Sequence, residues 1–170
     1  MSNNSKITES LSFSEEVKRR HGGETLMSCY QCGTCASSCP IAKIDSRFNP
    51  REVIKLALLG ERNEVISTEP IWLCTSCFNC QERCPQNVEI AELFYALRNI
   101  AVKDGYSPNI YADFGSALMS EGRIVNISKF VEKKREEYGL PPLKSVALDD
   151  LNTILSETGF IKPEKTEESK

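Results

Sequence analysis

The residues in this chain whose type and spacing could do chemistry are its cysteines. All eight fall in two runs, CYQCGTCASSCP at 29–40 and CTSCFNCQERCP at 74–85, which share a CxxCxxCxxxCP frame and little else. Tyr30 aligns with Thr75, Gly33 with Phe78, and Ser37 and Ser38 with Glu82 and Arg83. Only the frame is common, so the frame is what both runs require. Disulfides suit an oxidising compartment. Zinc favours two separated CxxC pairs around one ion. Here each run has a third cysteine at the same interval and a fourth before proline, the spacing of a four-thiolate iron–sulfur cluster.

A cubane cluster needs four thiolates converging on one compact anionic object. A loop with cysteine at every third position folds around three corners, and the fourth ligand comes from elsewhere. In the bacterial ferredoxin pattern the cysteine before proline ligates the other cluster. Applied here, cluster I takes Cys29, Cys32, Cys35 and Cys84, and cluster II takes Cys74, Cys77, Cys80 and Cys39. Two 4Fe–4S clusters are therefore expected, with crossed ligation tying the runs together. Removal of the metal should then unfold much of residues 29–100. Pro40 and Pro85 close each loop with a residue that lacks an amide donor and restrains the cysteine before it. The remaining loop amides are left to bond sulfur and tune the potential.

The elements that must position these runs read as helices. In SFSEEVKRRHGG, Ser12 or Ser14 can cap a short helix with acidic residues early and basic residues late, the order that suits the helix dipole. Between the runs, NPREVIKLALLG offers Asn49 as a cap, Pro50 at the first helical position and Gly60 as a left-handed terminator. Its many apolar positions predict a helix buried on most sides, with Arg51, Glu52 and Lys55 at the wet edge. After the second run, Ile90, Leu93, Phe94, Leu97, Ile100 and Ala101 recur at three- and four-residue steps, with Glu89, Glu92, Arg98, Asn99 and Lys103 opposite. Further helices are expected around 110–119, 128–138 and 149–158, each followed by glycine. No alternating strand pattern stands out, so the class is all-α. The charged end KPEKTEESK should be disordered.

Composition limits the function classes. The 170 residues carry a net charge of −3, which gives no basic field for a nucleic-acid backbone. No apolar run approaches the roughly 18 residues of a membrane span, and the start has no basic segment leading into an apolar one. A cytoplasmic protein is expected. Neither a nucleophile paired with a base nor a glycine-rich phosphate loop is visible, so the chain should move electrons rather than convert a substrate. His21, the single histidine, reads as a solvated helix-end residue. Trp72 reads as a packing aromatic that could also shield cluster II. Arg47, Arg51, Arg62 and Arg83 could offset the anionic clusters, though a solvated face is the simpler reading.

CYQCGTCASSCP, the spacer NPREVIKLALLG, WLCTSCFNCQERCPQNVEI and the helical tail together resemble the C subunit of heterodisulfide reductase over roughly residues 10–140. The resemblance implies an α-helical ferredoxin-type dicluster core rather than the strand-filled fold of short bacterial ferredoxins. It also implies a relay of electrons from a flavin-containing subunit to a catalytic subunit, which reduces the mixed disulfide of coenzyme M and coenzyme B. Related relay subunits serve glycerol-3-phosphate, glycolate and fumarate systems, and a free dicluster ferredoxin is a further alternative. The expected organisation is an arm with a short helix over 1–25, a dicluster core over 26–105, a helical partner-docking extension over 106–161 and a disordered tail over 162–170.

Overall fold

The structure, a computed structural model, describes residues 13–125, 127–144, 146–158 and 160. Ser12 as a helix cap and the charged tail at 162–170 lie outside the described residues. The fold is all-α, with no strand among the described residues. The chain divides into two compact units at Tyr106 and Ser107.

In the first unit, α1 covers residues 13–18, and a single 3-10 turn follows at Leu26–Ser28. Then come α2 (Thr34–Ser38), α3 (Pro40–Ile44), α4 (Pro50–Leu59), α5 (Arg62–Ile66), α6 (Pro70–Leu73), α7 (Asn79–Glu82) and α8 (Ile90–Lys103). Helix α8 is long because its apolar residues keep one stripe and nothing interrupts it. Ile90, Leu93, Phe94, Leu97 and Ile100 on that stripe are each 2% exposed or less, and burial of such side chains contributes about 1.5–3 kcal/mol apiece. Helices α5, α6 and α7 pack on α8, while α2 packs on α4 and α7. The Phe48 and Phe94 rings meet at 5.5 Å between centroids, tilted by 57°.

Helix α4 starts and stops as its sequence dictates. The Asn49 side chain accepts from the Arg51 and Glu52 amides, Pro50 occupies the first turn, and Gly60 closes it at φ 74°. Its burial is narrower than its near-continuous apolar run predicts. Val53, Ile54 and Ala57 are buried, but Leu59 is 54% exposed. A single helix face of this ten-residue element meets the core, and the excess apolar residues ride its flank. Ser14 is also not a cap: it lies within α1 and is buried.

Two ion-pair groups staple the unit. Arg62 on α5 donates to Glu16 on α1 and, at 2.7 Å, to Asp104 after α8, with its guanidinium 5.2 Å from the Phe13 ring centroid. Arg47 pairs with Asp45 and Glu69, each at 2.7 Å.

The second unit contains α9 (Asn109–Glu121), α10 (Lys129–Glu137) and α11 (Leu148–Glu157). Helices α9 and α11 pack on each other. Gly122 ends α9 at φ 68°, and a Cβ there would overlap the Val146 side chain, so both conformation and space demand glycine. Helix α10 is capped by the Ser128 hydroxyl, which accepts from the Val131 amide, and it buries none of its residues.

Candidate iron–sulfur site

The two cysteine runs adopt the same backbone path. Gln31 and its counterpart Ser76 are left-handed at φ 64° and 52°, and Gly33 and its counterpart Phe78 at 86° and 61°. Left-handed backbone turns successive amides toward one concave side, which favours an anion. For Phe78 this costs about 1–2 kcal/mol, so the loop is held by what surrounds it. Each run then enters a short helix, α2 or α7, that carries its third cysteine and packs against the other. The Asn79 side-chain amide donates to the Ser38 carbonyl at 2.6 Å, joining the second run to the first.

Cysteine exposure repeats at the first two positions of each run. Cys32 and Cys77, second in each run, are exposed. Cys35 and Cys39 are buried at 7% and 8%, and the other four are half-buried. A cavity between the runs is lined by Cys74, Cys77 and Cys80 of the second run together with Cys39 of the first, with Phe48 and Phe94 beneath. On the other side, Tyr30 lies against Cys32, and Cys84 of the second run stands near it along with Cys29. Cys35 bears electrostatically on Cys80, and the helices that carry them pack together, so the two sulfur groups adjoin.

Amides are aimed at sulfur throughout. The Ser76 N–H donates to Cys74 Sγ at 3.4 Å, the Val88 N–H to Cys84 at 3.3 Å and the Ala42 N–H to Cys39 at 3.5 Å. The Gln31 side-chain amide donates to Cys29 at 3.5 Å, and the Thr34 hydroxyl lies 3.3 Å from Cys32 Sγ. Burial pushes the Cys35 thiol up to about 11 and the Cys80 thiol up to about 12. The Thr34 hydroxyl and amide draw Cys32 the other way. Among the described residues, no group of three or more His, Cys, Asp or Glu side chains is arranged to hold a metal ion. Two all-thiol groups, each supplied with N–H donors that stabilise thiolate charge, suit an anionic cluster bonded at several corners.

The segment leading into the second run is braced by Arg98, which periodicity alone assigns to the polar face of α8. Its Nε donates to the Ile71 carbonyl at 2.8 Å and its Nη2 to the Cys74 carbonyl at 2.5 Å. The guanidinium sits 5.9 Å from the Trp72 ring centroid and 6.0 Å from that of Tyr95. Trp72 is partly buried and packs on the core. At the start of α8, Gln81 of the second run accepts from the Ala91 amide and Thr25 from the Glu89 amide, satisfying donors that a helix N-terminus leaves open. His21 is solvated as expected, with its side chain 93% exposed beside Glu24. Of the four arginines considered for charge compensation, Arg47 and Arg62 are committed to ion pairs, while Arg51 and Arg83 are exposed.

Residues 25–88, the span holding both runs, match the family described as a 4Fe-4S dicluster domain. The chain is 36% identical over 154 residues to the C subunit of the H(2):CoB-CoM heterodisulfide,ferredoxin reductase of Methanothermobacter thermautotrophicus, covering 87% of this chain and 82% of that one. It is 34% identical over 156 residues to the C subunit of the ferredoxin:CoB-CoM heterodisulfide reductase of Methanosarcina mazei, covering 87% and 96%. To the iron-sulfur C subunit of the CoB–CoM heterodisulfide reductase of Methanopyrus kandleri it is 34% identical over 164 residues, covering 93% and 82%. When bound, each cluster supplies a site that takes up and gives back one electron. With its repeated all-cysteine loops and these relatives, the chain belongs to the family of heterodisulfide reductase C subunits, as an electron-transfer protein with two 4Fe–4S clusters.

Proposed function

We propose that this chain is the relay subunit of a heterodisulfide reductase complex. It takes electrons from a flavin-containing subunit and delivers them to a catalytic subunit, which reduces the mixed disulfide of coenzyme M and coenzyme B. Cluster I is held by Cys29, Cys32, Cys35 and Cys84, and cluster II by Cys74, Cys77, Cys80 and Cys39. The observation that carries this reading is the cavity in which Cys39 faces the three leading cysteines of the other run. Because α2 and α7, which carry the third cysteines, pack on one another, the two sites are close enough to exchange an electron without a further carrier. The complex works in the cytoplasm. Among the described residues, no helix is long and apolar enough to cross a membrane.

Residues 106–161 dock the catalytic partner. This segment contributes no cysteine and leaves Phe130 69%, Ile154 57% and Ile124 56% exposed. Apolar side chains left in water on a small helical unit are suited to burial against another protein. Deletion of residues 106–161 from the chain, co-expressed with its complex, should leave iron content unchanged and abolish co-purification. Retention of the complex by the shortened chain would remove this assignment.

A further inference from the structure

The two runs share one backbone but not one set of side-chain donors. Around the first run, the Gln31 amide donates to Cys29 Sγ at 3.5 Å, and the Thr34 hydroxyl is 3.3 Å from Cys32 Sγ. A cysteine bonded to iron carries no proton, so Thr34 must be the donor there. The orientation of Gln31 is also the one a thiolate demands, since a carbonyl oxygen facing the sulfur would be repelled. Its Oε1 is buried without a hydrogen-bond partner, so the nitrogen faces the sulfur at the oxygen's expense. Tyr30 lies against Cys32 as well, without a geometric hydrogen bond to it.

The counterparts in the second run do none of this. Asn79, aligned with Thr34, spends its amide on the Ser38 carbonyl at 2.6 Å. Ser76, aligned with Gln31, offers Cys74 only its backbone N–H. No side-chain donor to a second-run sulfur is found among the described residues. Backbone donors are more evenly shared: Val88 serves Cys84, while Ser76 and Ala42 serve Cys74 and Cys39. An arginine stands beside each run, with the Arg98 guanidinium on the Cys74 carbonyl and Arg51 Cδ 3.7 Å from where a Gly33 Cβ would be. Arginine placement therefore does not distinguish the sites, and the side-chain donors do.

Hydrogen bonds to ligating sulfur stabilise the more negative, reduced state and raise the potential. We infer that Gln31 and Thr34 make the first-run cluster the more oxidising of the pair, so that the relay is polar: electrons enter at the second run and settle at the first. In each transfer one electron leaves the second-run site, which is oxidised by one, and reaches the first-run site, which is reduced by one. No bond is made or broken and no proton moves. The electron comes from the one-electron donor of the complex and leaves to its acceptor. The inference rests on the two-cluster relay proposed above.

The test is an EPR-monitored redox titration of the full chain within its complex, with Cys32→Ser used to identify the first-run signal. In the wild type that signal should appear at the higher potential, by a difference of about tenfold in electron occupancy, or about 59 mV for one electron. Gln31→Leu and Thr34→Val should each lower the first-run potential and leave the second-run potential unmoved, while Thr34→Ser, which keeps the hydroxyl, should titrate as wild type. A first-run cluster at or below the second-run potential in the wild type overturns the inference, even if the variants do not assemble. Variants that shift neither potential, or shift the second-run one, also overturn it. Iron content and co-purification report separately on the underlying relay, so its failure would be seen as lost clusters or a lost complex rather than as a reversed order.

Discussion

Replacement of Arg98 by methionine should loosen the second cluster selectively. Methionine keeps much of the aliphatic stem packed on Trp72 and Tyr95 and deletes the fork that holds the Ile71 and Cys74 carbonyls. Each hydrogen bond to a charged donor is worth about 1.5–3 kcal/mol, and because Arg98 is only partly buried the low end applies. Two such bonds place the loss at about 3 kcal/mol, the methionine sulfur keeping part of the contact with the two rings. Local opening of the 71–74 segment should then rise on the order of 100-fold, since about 1.4 kcal/mol is tenfold. The assay is anaerobic challenge of the holoprotein with an iron chelator, followed as bleaching of the cluster absorbance. The variant should bleach in two phases, with half the iron lost about 100 times faster than in the wild type and the remainder at the wild-type rate. Arg98→Lys, which keeps a charge but not the fork, should fall between. A single phase at the wild-type rate would refute the bracing role, and equal acceleration of both clusters would refute its selectivity.

Other outcomes follow from the same contacts. Gly22→Ala should destabilise the first unit by about 2–4 kcal/mol, because φ is +88° and the new Cβ would lie 2.5 Å from the Glu92 carbonyl oxygen. Gly105→Ala, at φ +83° with open space around it, should cost only about 1–2 kcal/mol, and thermal melts of the two holoproteins compare them. Arg62→Ala removes pairs whose side chains are about one-third exposed, so the cost should be ~1 kcal/mol and should shrink in high salt. Iron loading must displace protons from Cys35 and Cys80, raised to about 11 and about 12. Reconstitution of the metal-free chain should therefore be slower at pH 6.5 than at pH 8.5 and should release protons, seen in a weakly buffered titration. Complete chelation should remove most of the helical far-UV signal of residues 29–100, because the sulfur groups link α2, α7 and the loops between.

Much of the scaffold is legible in the sequence because local rules and tertiary context agree. Asn49, Pro50 and Gly60 bracket α4 in the sequence and in the structure. The stripe from Ile90 to Ala101 is the buried face of α8. Gly122 and Gly139 follow α9 and α10 at φ 68° and 65°. The cysteine frame is legible because iron chemistry tolerates few spacings. The short helices α2, α3 and α5–α7 are not, since four or five residues carry too little periodicity. The role of Arg98 escapes the sequence because helical spacing assigns a side to a residue but does not foresee which loop arrives there. Phe78 gives no left-handed signal by type, but its alignment with Gly33 across the repeat is a usable one. Leu59 shows the limit of apolar content: a run can be richer in leucine than its core contact requires.

Whether each proline-preceding cysteine serves the opposite run is read directly from four serine variants. Cys84→Ser and Cys32→Ser should perturb the same EPR signal, while Cys39→Ser and Cys77→Ser should perturb the other. If Cys84→Ser instead altered the signal that responds to Cys77→Ser, each run would hold its own cluster, and the crossed account would be contradicted.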